Sequence, residues 1–412
     1  MSADGVVRTG RERLWTLEFA AVNAICLLAF GTLSLFYGFY DFLAERGVDP
    51  AWRGPIISLF SFTALLLRPT ISARLKPGSI MPSLFWGQVV CIAAMWGYSV
   101  LEGGPGLAVA RMVHGAGYVV ALSAAVALLA RILPPSRSGE GFSVNTIMAL
   151  LPNAIVPMVV ERWPGAAASG SLFAWGAVCM LPGLAVLPLL RKAAARDFVR
   201  QGAAVREGVL ARLMAGLRQP GARALLAAFG LAFLAVVMVF FYVKTVCAHR
   251  GAGDPGVFLG ISTWVVVATR LGLGPFFDRF DRKLLCLAGL CPMGAGLALP
   301  ALSPHPAALY AAAVVYGLGV GVATPLLNAL IFLVSRPDLR GLNANLMLQM
   351  LDLAYVVGPV AGGLLLWPSG AGGFLAPHGA VFAGAAAACI AAVLVVGCGV
   401  RNSEENKEAA TP

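Results

Sequence analysis

RALLAAFGLAFLAVVMVFFYVKTV, residues 223–246, carries no charge between Arg223 and Lys244. The hydrocarbon core of a bilayer is about 30 Å thick and is crossed by about 20 apolar residues of helix, so this stretch alone reads as a spanning segment. The rest of the chain agrees. Of 412 residues, 59% are hydrophobic and 12% charged, against roughly 25% charged in a soluble domain. That leaves too little polar surface to clothe a water-soluble globule. In lipid every backbone polar group needs an internal partner, which leaves helices or closed barrels. Barrels are written as short alternating strands, whereas this chain shows long runs of Ala, Leu, Val and Gly. The expected fold class is all-α, a polytopic membrane protein.

Runs of this kind predict twelve transmembrane helices, over residues 14–40, 54–73, 82–101, 105–131, 142–160 and 168–190, then 223–246, 256–277, 284–302, 307–334, 342–366 and 374–398. They form two six-helix bundles, 1–190 and 223–400, joined by a linker at 191–222 and followed by a polar tail at 401–412. Leu210, Leu213 and Leu217 in the linker share one helical face, which predicts an amphipathic helix on the membrane surface. With Met1 inside, 22 of the 30 Lys and Arg fall in cytoplasmic segments, and only Arg46, Arg53, Arg162 and Arg250 fall in outer loops. The positive-inside rule therefore puts both termini in the cytoplasm of a cell inner membrane. Met1–Arg13 is polar and basic, and the first apolar run is too long for a signal peptide, so no cleavable signal is expected.

The net charge of +11 does not indicate nucleic-acid binding, because the basic residues punctuate the ends of apolar runs and do not gather on one face. The eight cysteines show no CxxC pairing, and no metal or other cofactor is expected.

An offset of 202 residues superposes Arg68 on Arg270, Gly115 on Gly317, Gly117 on Gly319, Gly139 on Gly341 and Pro157 on Pro359. These collinear matches join helices two and eight, four and ten, and five and eleven. Two parallel repeats of six helices are a transporter architecture, with a substrate site near midplane where the halves meet.

The stretch Gly274-Pro275-Phe276-Phe277-Asp278-Arg279-Phe280-Asp281-Arg282-Lys283 resembles the G-x-x-x-D-R-x-G-R-R/K loop of the major facilitator superfamily, with Asp281 in place of the inner glycine. The first-half counterpart has Lys76 where Asp278 stands. Arg111-Met112-Val113-His114-Gly115-Ala116-Gly117 is similar to that family's R-x-x-q-G-x-G motif in helix four. Within the family, Pro134–Pro157 resembles the drug and metabolite efflux branch, and weakly its opine-metallophore exporters. The antiporter motif of that branch survives in helix five only as Pro157, and a GPxxGG string stands instead at Gly358–Gly363 in helix eleven. The resemblance implies a proton antiporter in which Arg111 takes part in coupling.

A charge inside the membrane is expensive, which makes each one a functional candidate. The proton-coupling candidates are Arg111, Asp352, Glu18 and His114. Glu18 can equally face the inner vestibule, Asp352 can serve an interhelical bond, and His114 can stay neutral. Candidates for lining the substrate cavity are Asn23, Asn145, Asn153, Tyr242, Lys244, Tyr316, Asn328, Gln349 and Tyr355. Tyr316 is the repeat mate of His114, and Gln349, Asp352 and Tyr355 follow one face of helix eleven. Arg68, Arg270, Gly274, Asp278, Arg279, Arg282 and Lys283, at the cytoplasmic ends of helices two and eight, are expected to form a gating charge network across the halves.

The function expected is secondary active transport by alternating access, with proton-coupled export of a small organic solute such as a drug, metabolite or metallophore. The alternatives are an importer of the same architecture, and a membrane enzyme or sensor. No P-loop occurs to bind ATP, and the outer loops are too short to cluster catalytic side chains. The partners are the solute, protons and the lipid bilayer, and the chain is expected to act as a monomer.

Overall fold

The structure, a computed structural model, describes residues 14–75, 77–134, 137–163, 170–194, 219–273, 280–303, 305–335, 340–366 and 377–400. The described residues contain no strand. Eleven helices are long and apolar enough to cross a membrane, and a bent pair brings the number to twelve. They are α1 (Leu17–Glu45), α2 (Pro50–Arg74), α3 (Ile80–Val100), α4 (Gly104–Ile132), α5 (Ser138–Glu161), α6 (Ser171–Ala185 with Leu187–Ala194, bent by 45°), α7 (Pro220–Arg250), α8 (Pro255–Leu273), α9 (Arg282–Leu302), α10 (Pro306–Val334), α11 (Arg340–Leu366) and α12 (Pro377–Gly399). The amphipathic helix expected around Leu210–Leu217, and the gating candidates Gly274, Asp278 and Arg279, lie outside the described residues.

Local chemistry sets the helix starts. Thr16 Oγ1 accepts from the Phe19 amide at 3.1 Å, Asp49 Oδ1 from Ala51 at 2.8 Å and Asp281 Oδ1 from Leu284 at 2.9 Å. Each satisfies one amide that its helix leaves without a partner. Pro50 and Pro306 occupy first helical positions, where no amide is missed. Asp281, which departs from the glycine of the resembling loop, is thus the cap of α9. Glu18 stands half-buried in the first turn of α1, at the positive end of that helix. It is not among the residues that line the cavity described below.

Lipid tails are as apolar as Leu, so helices in a bilayer associate through close packing, which small residues permit. The 202-residue offset is visible in that packing. A Cβ on Gly317 would press on the Ser262 carbonyl of α8, and one on Gly115 would press on the Phe60 carbonyl of α2, so both the glycines and their contacts are repeat mates. Gly87 against Ala121 and Gly289 against Ala323 form a second such pair. A third pair crosses between the halves. Gly54 of α2 seats on the Pro359 carbonyl of α11, and Gly256 of α8 seats on Pro157 of α5. The α2–α11 and α5–α8 contacts are therefore one joint built twice. The seven described tryptophans all face outward, with Trp15, Trp52 and Trp163 near helix ends where a membrane interface would lie.

Candidate functional site

The end of the bundle holding the α1–α2 and α7–α8 connections is closed by contacts between the halves. Lys244 Nζ of α7 donates to Glu161 Oε1 of α5 at 2.7 Å, and Tyr37 Oη donates to the same oxygen at 2.6 Å. Thr245 Oγ1 donates to Asp41 Oδ1 of α1 at 2.8 Å. The rings of Tyr40 and Tyr242, which are repeat mates, meet at 5.1 Å between centroids. A 3-10 turn, Leu35–Gly38, interrupts α1 at this level, and Gly38 leaves the space through which the Lys244 stem passes. Lys244 is therefore part of the closure and is not among the residues that line the cavity beneath it.

Beneath the closure, between the halves, lies a cavity of about 320 Å³. Its walls include Phe30, Phe36, Phe60 and Tyr118 from the first half and Phe233, Phe240, Phe241 and Tyr355 from the second. Its ionisable residues other than tyrosine are Arg68, Arg111 and Asp352. Arg68 of α2 grips Asp352 of α11 side-on, with Nε to Oδ2 at 2.6 Å and Nη2 to Oδ1 at 3.0 Å. A forked guanidinium–carboxylate bond of this kind is among the stronger polar contacts a protein makes. It joins a residue expected to gate with one expected to titrate. The repeat does not reproduce it, because position 150, the mate of Asp352, is leucine. Arg270 donates to Thr324 Oγ1 of α10 at 2.9 Å, a contact within its own half, and among the described residues no carboxylate pairs with it. Arg282 and Lys283 are half-buried at the start of α9.

Arg111 is 2% exposed. Its Nη2 donates to the Ile57 carbonyl at 2.9 Å, and Phe36, Phe39 and Phe60 present their rings to the guanidinium at 4.5, 5.1 and 4.9 Å. Among the described residues no carboxylate pairs with it, so the cation-beside-carboxylate arrangement expected for coupling does not form at Arg111. His114 is buried behind it, with Nδ1 3.4 Å from Tyr98 Oη and Phe60 edge-on to its ring. Among the described residues it touches no acid, and it is not among those lining the cavity.

The remaining candidates separate. Asn153 lines the cavity and accepts from Ser34 Oγ at 2.6 Å, and Tyr355 lines it beside Asp352. Asn145 Nδ2 donates to Asn23 Oδ1 at 3.2 Å, and Asn23 donates to the Phe19 carbonyl, so this pair fastens α5 to α1. Tyr242 Oη donates to the Pro359 carbonyl, and Tyr316 stacks on Phe258 at 6.2 Å inside the second half. Asn328 Nδ2 donates to the Thr324 carbonyl of its own helix at 3.1 Å. Asn23, Asn145, Tyr242, Tyr316, Asn328 and Gln349 are not among the lining residues. Sequence reasoning passed over Glu161, which falls just beyond the span expected at 142–160, and the phenylalanines, which are indistinguishable from lipid-facing rings until helix rotation is known. Among the described residues no three His, Cys, Asp or Glu gather to hold a metal.

The Major Facilitator Superfamily model matches residues 19–342 and 252–412. The chain belongs to the Major Facilitator Superfamily. A superfamily relative, the multidrug resistance protein MdtH of Yersinia enterocolitica, is 31% identical over 140 residues, 32% of this chain and 35% of MdtH. MdtH of Yersinia pestis is 30% identical over the same length. The match thus spans about a third of the length of these relatives. The fold is similar to that of the nucleoside transporter NupG, with TM-score 0.74 at 14% identity over 93% of this chain and 98% of NupG. It is also similar to a bacterial homologue of the lysosomal transporter Spinster solved in an inward-facing, unoccupied conformation, with TM-score 0.67 at 12% identity over 93% and 95% of the two chains.

Proposed function

We propose that this superfamily transporter exports a small organic solute in exchange for protons, working as a monomer by alternating access. The observation that carries the reading is the Arg68–Asp352 pair, a carboxylate held across the two halves in the wall of a cavity between them. A proton arriving at Asp352 cancels the charge that Arg68 holds and loosens α2 from α11, so protonation and the relative position of the halves are linked. With both termini cytoplasmic, the closed end is the outer one and the cavity belongs to the inward-facing state. On this reading Asp352, both of whose oxygens are taken up by Arg68, has released its proton inward and the cavity stands ready for solute. Export takes its support from the partial likeness to MdtH, since a cavity of this form serves either direction.

Reconstitution tests this. In proteoliposomes bearing a pH-sensitive dye, an imposed proton gradient should drive accumulation of a transported solute, and solute addition should move protons the opposite way. Asp352→Asn should still allow solute exchange between the two sides while abolishing the proton movement. Solute transport that ignores the gradient, or unchanged proton movement in Asp352→Asn, would sink the coupling assignment.

A further inference from the structure

The charges that line the cavity do not balance. Asp352 spends both oxygens on Arg68, at 2.6 and 3.0 Å, and that pair is neutral toward an incoming solute. Arg111 is the charge left over. It stands beside Ile57, eleven residues along α2 from Arg68, which is about 16 Å at 1.5 Å per residue, and so lies at the closed end of the cavity. Among the described residues Nη2 bonds the Ile57 carbonyl, while Nε and Nη1 are buried with no well-aligned acceptor and no carboxylate. The Tyr98 hydroxyl lies within bonding reach of the guanidinium as well as 3.4 Å from His114 Nδ1, but it is neutral and brings no counter-charge. The three phenylalanine rings attract a cation through their faces, yet they accept no N–H bond and bring no negative charge.

A buried guanidinium in this condition is costly unless paired. A solute that is itself a cation is repelled, and a neutral amide or alcohol offers an acceptor without a counter-charge. A carboxylate supplies both. The path from the open side to Arg111 is walled by Phe30, Phe60, Phe240, Phe241, Tyr118 and Tyr355, which suit a flat apolar body. At about 320 Å³ the space is at the small end of ligand pockets and holds one or two fused rings, not a large polycyclic drug.

We infer that the solute is a small aromatic monocarboxylate, seated with its carboxylate on Arg111 and its ring among the phenylalanines. The inference rests on the carrier reading above and specifies the solute for that same cavity.

The test uses the purified full chain and three ligands of one shape: naphthoate, naphthamide and the naphthylmethylammonium cation. Binding is measured by calorimetry in detergent. Naphthoate should bind at least about tenfold more tightly than either isostere, the margin of a charge-assisted over an ordinary hydrogen bond. Arg111→Gln should erase the margin, and Arg111→Lys should keep its sign. Equal affinities, tighter binding of the ammonium, absence of naphthoate binding, or an undiminished margin in Arg111→Gln would each overturn the inference. If Arg111→Gln does not fold, the wild-type comparison decides alone. Naphthoate that binds but is never moved in proteoliposomes would count against the carrier reading and leave the anion site standing. Transport of other solutes without a carboxylate preference would do the reverse.

Discussion

Lys244 and Glu161 belong to different halves of the protein, and their side chains meet at 2.7 Å at its closed end, both about four-fifths shielded from solvent. Glu161 also accepts from Tyr37, so one carboxylate ties α7 to α5 and to α1. Lys244→Gln removes the cation and leaves a desolvated carboxylate, which favours any state in which that end parts and water reaches it. Spin labels on the exposed positions Glu45 and Ala248 should give one short distance in the parent. In Lys244→Gln a second, longer population should grow about tenfold, corresponding to about 1.4 kcal/mol. An unchanged distance distribution would mean that the pair does not hold the end shut.

The two members of the Arg68–Asp352 pair should differ in how well their loss is tolerated. Asp352→Asn strands a guanidinium that cannot shed its charge, at a cost of about 3–5 kcal/mol for a broken buried pair. Arg68→Gln strands a carboxyl group that can neutralise itself by binding a proton, and should cost less. The double variant Arg68→Gln with Asp352→Asn should recover most of the lost stability. Thermal unfolding of the three variants in one detergent checks the order, and equal losses in both single variants would contradict it.

Gly115→Ala and Gly317→Ala should destabilise the protein by similar amounts, about 1–3 kcal/mol each, because each added methyl would meet the carbonyl of its repeat-related neighbour. Gly31→Ala, inside α1 with nothing within 4 Å of the new methyl, should be neutral or slightly stabilising. Melting temperatures in detergent distinguish the two classes.

Orientation can be read chemically. Glu102→Cys, in the α3–α4 connection, should react in intact cells with a maleimide that cannot cross membranes, and Gly78→Cys, at the other end of α3, should react only after permeabilisation. The reverse pattern would invert the topology.

The sequence made much of the fold legible, because hydrophobic run length is a property of single segments, and the 202-residue offset needs only the order of residues. The same offset reaches beyond the five pairs matched above. Gly54 with Gly256, and Tyr40 with Tyr242, are also matched, and the structure places these four where the halves touch. The candidate site was less legible. Arg68 and Asp352 both stood out as intramembrane charges, yet they are 284 positions apart and were read as belonging to separate devices. Asn23 and Asn145 looked like cavity liners, but polar side chains on adjacent membrane helices can satisfy one another, and these two do. His114 and Tyr316 are mates that share burial, each turned into its own half and away from the cavity. What the sequence lacked in each case was the rotation of one helix against its neighbour.

Gly54 on Pro359 and Gly256 on Pro157 bring main chain onto main chain, with no side chain interposed at either glycine. A surface without rotamers has nothing to unlock when it slides or tilts. The two joints therefore act as a pair of bearings on opposite flanks of the molecule. On the proposed cycle, tilting one half against the other is then opposed chiefly by side-chain contacts, Lys244–Glu161 at the closed end and Arg68–Asp352 in the cavity wall, and it is there that solute and proton would have to act.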